Sequence, residues 1–264
     1  MTRLAGVGAV TFDFGNTLVP VDRAGLARVV QLTAAALTSR CGPFEEEDFL
    51  SVWAQERERQ FAEEVPQLRE VDLEQRVVRV LARLRGMTPP QPGVRWDDAA
   101  ARRCSSPDEL TFAVDVYSRA FVEAMPPPPE VGPLLTALAR DHRLAVLSNW
   151  PLAVTIDRYV EAAGWAPSLV AVIVSQRIGV IKPHPRIFGA ARAALGGPPA
   201  RAILHVGDDW AADVQGARAA GWRAAWVRSR PADSPLPASV RGDDEEADLE
   251  IDELSELVEA LGPC

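Results

Sequence analysis

Of the 28 Lys plus Arg residues in this 264-residue chain, one alone is lysine: Lys182, in the segment Gly179-Val180-Ile181-Lys182-Pro183-His184-Pro185. An ammonium is a compact point charge and a guanidinium a planar fork, so the two are not interchangeable at a tight anionic site. Three other segments carry groups that act on anions. Phe12-Asp13 ends an apolar run and is followed by Gly15, Asn16 and Thr17; Leu147-Ser148-Asn149 ends a second; Val206-Gly207-Asp208-Asp209 ends a third, with Asp213 close behind. A carboxylate at Asp13 can attack phosphorus or carbon and form a covalent intermediate. An aspartate before Gly15-Asn16 also suits a simple turn. The hydroxyls of Thr17 and Ser148, with the Lys182 ammonium, would make an anion cradle whose donors stabilise a phosphoryl transition state. Either hydroxyl alone is an ordinary turn former. Asp208, Asp209 and Asp213 would repel one another unless a cation sits between them, and hard oxygen ligands suit Mg2+. Asp209 and Asp213 also suit the first turn of a helix.

The elements that must position these groups follow from the pattern. Each apolar run is short and bounded by turn residues, which predicts a buried strand. In open parallel sheets, ligands bind outside the carboxyl ends of the strands, so all three runs deliver their polar ends to one edge. The first strand is expected at 7–13. From about 22 to 125 the chain reads as helical: one helix ending near Cys41-Gly42, a second over 45–64, a third over 73–84, and a fourth opened by Ser106-Pro107-Asp108-Glu109. In that fourth start Ser106 is a cap, Pro107 suits the first turn, and the two acids suit the dipole. The prolines at 126–129 cannot continue a helix and read as a return hinge. Helices over 131–141, 152–163, 185–195 and 210–220 then alternate with strands over 143–148, 169–174, 202–206 and 223–228. Such alternation implies a parallel sheet covered on both faces. Residues 229–246 read as a surface loop. Ile251, Leu254, Leu257, Val258 and Leu261 predict a last amphipathic helix.

Composition narrows the function. A net charge of −9 argues against a nucleic-acid partner, which needs a basic footprint, but not against a small anionic substrate, since the local field of a cleft outranks net charge. Cys41, Cys104 and Cys264 form no CxxC pair and fit a reducing cytoplasm. The apolar N-terminus runs straight into Phe12-Asp13 and reads as a strand, not a signal peptide. No stretch approaches membrane-spanning length. A monomer or a homodimer is expected.

Four motifs in this order resemble the haloacid dehalogenase-like hydrolase superfamily, from Val7 to about Trp226, and most of all the subgroup with a helical cap inserted after the first strand. The resemblance implies an α/β fold: a doubly wound, Rossmann-like parallel sheet as core (1–20 and 127–264) with an inserted α-helical cap (21–126). It implies Asp13 as nucleophile, Thr17, Ser148 and Lys182 as catalytic partners, and Asn16 and Asn149 as substrate contacts. Mg2+ would be held by Asp13, Asp208, Asp213 and the carbonyl of Gly15. One departure stands out. The family's phosphatases usually carry a second aspartate two residues after the nucleophile, which protonates the leaving group and then activates water. Here that residue is Gly15. General acid–base help is worth roughly 10²–10⁴-fold, so either the substrate has a good leaving group, or another group (His184, Asp209 or a cap residue) moves the proton, or the protein is a weak or ligand-binding member. Phosphonate-cleaving relatives need a cap lysine, and this cap has none. Haloacid dehalogenases of the family need no metal, and the retained Asp208 and Asp213 speak against that chemistry. The expected function is therefore a Mg2+-dependent phosphatase acting on a small phosphorylated metabolite through an aspartyl-phosphate at Asp13. The alternatives are a 2-haloacid dehalogenase-type hydrolase or a weak ligand binder. The cap would choose the substrate, with Arg40 and the run Glu56-Arg57-Glu58-Arg59 as candidate anion contacts. His205 is expected in the core or behind the site, and His142 on the surface in a turn.

Overall fold

Ala9–Phe12 (β1) is buried along its whole length, as a run without polar alternation must be when both faces of its sheet are covered. It lies at the centre of a six-stranded sheet of order β3-β2-β1-β4-β5-β6 in a computed structural model that describes residues 4–242 and 245–262. Its neighbours are Arg143–Ser148 (β2) and Ile203–Gly207 (β4). Ala171–Val174 (β3), Arg223–Val227 (β5) and Leu249–Ile251 (β6) complete the sheet. All five pairings are parallel. This is the doubly wound, Rossmann-like α/β fold expected from the alternation. The order reverses beside β1, so a crevice opens at the carboxyl ends of β1, β2 and β4.

Six α-helices lie between β1 and β2 among the described residues, and the first five form the helical insert: Arg23–Cys41 (α1), Glu46–Glu64 (α2), Leu73–Leu84 (α3), Asp98–Arg102 (α4) and Pro107–Ala124 (α5). The α5 start is a full capping box, with Ser106 accepting from Glu109 N and Glu109 reaching back to Ser106 N. The core helices are Val131–Leu138 (α6), Ala153–Ala162 (α7), Ser175–Ile178 (α8), Pro185–Ala194 (α9), Gly216–Ala219 (α10) and Glu256–Leu261 (α11). No helix among the described residues is long and apolar enough to cross a membrane.

Three expectations need correction. The helix expected over 210–220 is a π turn over Trp210–Gln215 that becomes α-helical only at α10. The last helix includes neither Ile251, which belongs to β6, nor Leu254, which lies in the turn before that helix; pairing with β5 satisfies backbone groups of Ile251 that the apolar spacing alone assigned to a helix. His142 is not a surface residue: it is buried, with Nδ1 at 3.0 Å from Val7 O, so it closes the foot of β1 against the turn before β2. Cys41 and Cys104 are free thiols, and Cys264 lies outside the described residues.

The helical insert is joined to the sheet by aromatic rings. Phe14, one residue past Asp13, meets Trp150 edge-on at 5.5 Å and Tyr159 at 5.1 Å. Phe121 of α5 meets Trp150 at 5.0 Å. These four rings fix the turn after β1 and the turn after β2 against α5 and α7. Phe121 is fully buried, so Phe121→Ala is expected to lower unfolding free energy by about 3–5 kcal/mol, read from urea melts.

Candidate active site

The centre of the site is the Lys182 ammonium. Its side chain is almost wholly buried, and its three protons have three acceptors: Asp13 Oδ1 at 2.7 Å, Leu147 O at 2.9 Å and Asp213 Oδ1 at 2.5 Å. A tetrahedral ammonium fills this set, whereas a planar guanidinium is too long and too flat. Asn149 fixes the backbone that carries it, with Oδ1 accepting from Lys182 N at 2.6 Å and Nδ2 donating to Lys182 O at 3.1 Å.

Asp213 is held from behind. His205 Nε2 lies 2.9 Å from its Oδ1, and His205 Nδ1 lies 2.8 Å from Thr11 Oγ1. A carboxylate only accepts, so the proton sits on Nε2 and the Thr11 hydroxyl donates to Nδ1. Burial holds His205 below its ordinary pKa, which keeps it neutral. Thr11 and His205 are register partners on β1 and β4, and so the pleat itself brings them together. Asp213 Oδ2 accepts from Asp209 N at 2.9 Å. Burial opposes the charge on Asp213, but Lys182 and the His205 hydrogen bond overcome it and hold its pKa below the usual carboxylate range. The same carboxylates hold Lys182 above its ordinary value against the burial that would lower it. Gly207 has to be glycine: a Cβ there would lie 2.2 Å from Asp213 Cγ.

Asp13, Asp208 and Asp213 offer one oxygen each within 4.8 Å of one another. Burial, with the charges of Asp13 and Asp213, pushes Asp208 up to about 8, and burial raises Asp13 as well. An all-oxygen set whose charges repel in this way fits a hard divalent cation such as Mg2+. Among the described residues Asp13 Oδ2 and Asp208 Oδ1 have no hydrogen-bond partner, while Asp213 has partners on both oxygens.

The remaining predicted residues are distributed as follows. Ser148 is buried at the end of β2 with its hydroxyl unpartnered, and it is not among the residues that line the cavity at Asp13. Thr17 Oγ1 is also unpartnered, but Thr17 lines a neighbouring cavity with Pro128 and Ser229 and not the cavity at Asp13. Asn16, at φ 59°, accepts from Val21 N and exchanges hydrogen bonds with Ser234. Asp209 caps the π turn through Ala212 N and accepts from Ser239. His184 caps α9 through Arg186 N and does not line the cleft.

The 229–246 segment contributes residues that its loop-like composition did not reveal. Arg230 pairs with Asp208 Oδ2 at 2.9 Å and donates to Leu236 O. Leu236 then lies over Gly15: a Cβ on Gly15 would meet Leu236 Cδ1 at 2.6 Å and Trp150 Cζ3 at 3.3 Å. The space that a longer side chain at position 15 would fill is occupied by two apolar groups. Gly15 is not at positive φ, so its constraint is room and not backbone conformation.

The sequence profile described as haloacid dehalogenase-like hydrolase matches residues 7–221. The chain is 38% identical over 132 residues to a phosphoserine phosphatase of Thermus thermophilus, covering 48% of this chain and 49% of that one. It is 31% identical over 171 residues to a glyceraldehyde 3-phosphate phosphatase of Methanopyrus kandleri, covering 63% and 71%. The first of these matches thus spans about half the relative's length. A 2-haloacid dehalogenase from Pseudomonas syringae pv. Tomato has the same fold, with a TM-score of 0.66, 22% identity, and coverage of 96% of this chain and 97% of the other.

Removing the ammonium would leave two buried carboxylates unpaired. Lys182→Met is expected to cost about 3–5 kcal/mol in chelator-treated protein at neutral pH, measured by urea unfolding. Lys182→Arg is expected to recover little of that loss, because its fork cannot meet the three acceptors.

Proposed function

The chain belongs to the haloacid dehalogenase-like hydrolases, and from that premise we propose that it hydrolyses a phosphate ester of a small metabolite, with Asp13 as nucleophile. The observation that carries this reading is the asymmetry of Asp13: Oδ1 is held by Lys182, while Oδ2 is free beside two more carboxylates. Lys182 aims Asp13 and favours its ionised form against the burial that raises its pKa. Oδ2 attacks phosphorus, the ester P–O bond breaks, and its electron pair leaves with the alcohol oxygen. Water then attacks the phosphorus of the aspartyl-phosphate and frees Asp13. The unpartnered Ser148 hydroxyl is suited to a phosphoryl oxygen. Mg2+ would be held by Asp13 and Asp208, with the Gly15 carbonyl and Asp213 as further candidates, and would neutralise charge on the phosphoryl oxygens. The two relatives' names, both of phosphatases, support this branch of the family. In this reading 21–126 is a cap that selects the substrate and 1–20 with 127–264 is the core. The free thiols suit the cytoplasm.

The apolar wall over Gly15 sets the substrate's leaving group. The atoms turned to Gly15, Leu236 Cδ1 and Trp150 Cζ3, are carbon and offer no acidic proton, so esters of acidic alcohols and acyl phosphates should be favoured. The same wall supports one second reading, carbon–halogen hydrolysis, in which halide departs without a proton. Chelation separates the two: loss of turnover with EDTA and recovery with Mg2+ are expected, whereas chelator-resistant halide release from a 2-haloacid would favour the second.

Asp13→Asn is expected to abolish turnover of p-nitrophenyl phosphate and acetyl phosphate. Gly15→Asp alone must displace Leu236, so the informative variant is Gly15→Asp with Leu236→Ala. That double variant is expected to gain at least ~10-fold in kcat/KM on alkyl phosphates, with little change on aryl phosphates whose departure needs little protonation. A folded double variant with no selective gain would mean that another residue already moves the proton.

A further inference from the structure

The cavity at Asp13, about 300 Å3 in volume, is also lined by Arg57 of α2, Arg76 of α3 and Tyr117 of α5. Arg76 is 4% exposed. Its Nε donates to Gln60 Oε1 at 2.8 Å, Gln60 is anchored on Asp72 O, and the guanidinium lies over Trp53 at 5.4 Å. The outer edge of the fork is left over: Nη2 is buried without a partner, and Nη1 has none among the described residues. Arg57 lies over Phe61 at 4.7 Å and is in no ion pair among the described residues. The Tyr117 hydroxyl likewise has no hydrogen bond among them. Neighbouring arginines of the insert are all engaged: Arg59 with Glu63 and three carbonyls, Arg79 with Asp98, Arg83 with Glu56. Glu70 lines the same cavity, but its oxygens accept from Val71 N and Ser175 Oγ and it pairs with neither arginine. Burial lowers Arg76 only to about 10, so it is cationic at neutral pH.

A buried cation with an open hydrogen-bonding edge is costly unless a counter-charge is supplied. Glu70 and Asp72 act on Arg76 electrostatically, but no carboxylate among the described residues makes an ion pair or hydrogen bond with it, and Arg76 lines the substrate cavity. We propose that Arg76, assisted by Arg57 and Tyr117, binds a carboxylate of the substrate, so that the substrate class is a small phosphorylated carboxylic acid with its phosphate at Asp13. This rests on the phosphatase reading of the Asp13 site. A carboxylate matches the single free edge of the fork. The cavity volume of about 300 Å3 lies at the lower limit of about 300–1,000 Å3 for ligand sites, which suits a small substrate.

Non-hydrolysable phosphonates test binding without turnover. Calorimetry on the Mg2+-loaded full chain would compare 3-phosphonopropionate with propylphosphonate, which lacks the carboxylate, and with ethane-1,2-diphosphonate. The expected preference for 3-phosphonopropionate over propylphosphonate is roughly 10- to 100-fold, as for a hydrogen-bonded charge pair. Arg76→Lys and Arg57→Met should each shrink that ratio; Arg57 is part-exposed, so its variant decides the matter if Arg76→Lys does not fold. Equal affinities in the wild type, a ratio that survives both variants, or tightest binding of the diphosphonate would each overturn the carboxylate assignment. Binding of none of the three would remove the phosphate site itself and this subsite with it, a result distinct from equal binding of the first two.

Discussion

One buried ammonium sets the constraint on which the rest of this site depends. Lys182 has three protons and three fixed acceptors, contributed by the end of β1, the end of β2 and the turn after β4. None of these can shift without leaving a charge or a carbonyl unsatisfied in a dry environment. The support runs further back, through His205 and Thr11 to the β1–β4 register, and sideways through the Asn149 clamp. A parallel sheet supplies the rigidity, since adjacent strand ends are fixed by the ladder and not by loop conformation. That is why a chain otherwise using arginine for every cation has kept one lysine.

The helical insert depends on the same loop. Leu73 N donates to Pro151 O, Ile181 N to Leu68 O, and Arg69 forms a bridge with Val180. Ser175 receives Trp150 N and donates to Glu70. The stretch between α2 and α3 is therefore stitched to both the β2 turn and the lysine loop, next to the rings of Phe14, Phe121, Trp150 and Tyr159. Docking of the insert and placement of the ammonium are two consequences of one set of contacts, so the wall bearing Arg57 and Arg76 is held in register with Asp13.

What the sequence discloses is what short-range pattern encodes. Apolar runs ending in Asp13, Ser148 and Gly207 located the strand ends, and the lone lysine and the paired aspartates marked the chemistry. What it concealed depends on contacts between distant residues. Asn16 and Ser234 meet across a separation of 218 positions, and nothing in the Pro- and Ser-rich composition of 229–246 says that Leu236 will lie on Gly15. Asn149 looked like a ligand contact, and only the fold shows both ends of its amide on Lys182. His142 and Ile251 were misread because a turn histidine and an apolar residue at helical spacing are neutral locally; burial against Val7 and pairing with β5 decide them.

The segment over Gly15 also gives the site an order of assembly. Leu236 and Arg230 lie between β5 and β6 and are held on the site by Arg230 to Asp208 and by Asn16 to Ser234. A chain emerging from the ribosome folds its N-terminal parts first. The four charged groups of the site, Asp13, Lys182, Asp208 and Asp213, all precede residue 214, so its shield is the last part of the site to be synthesised.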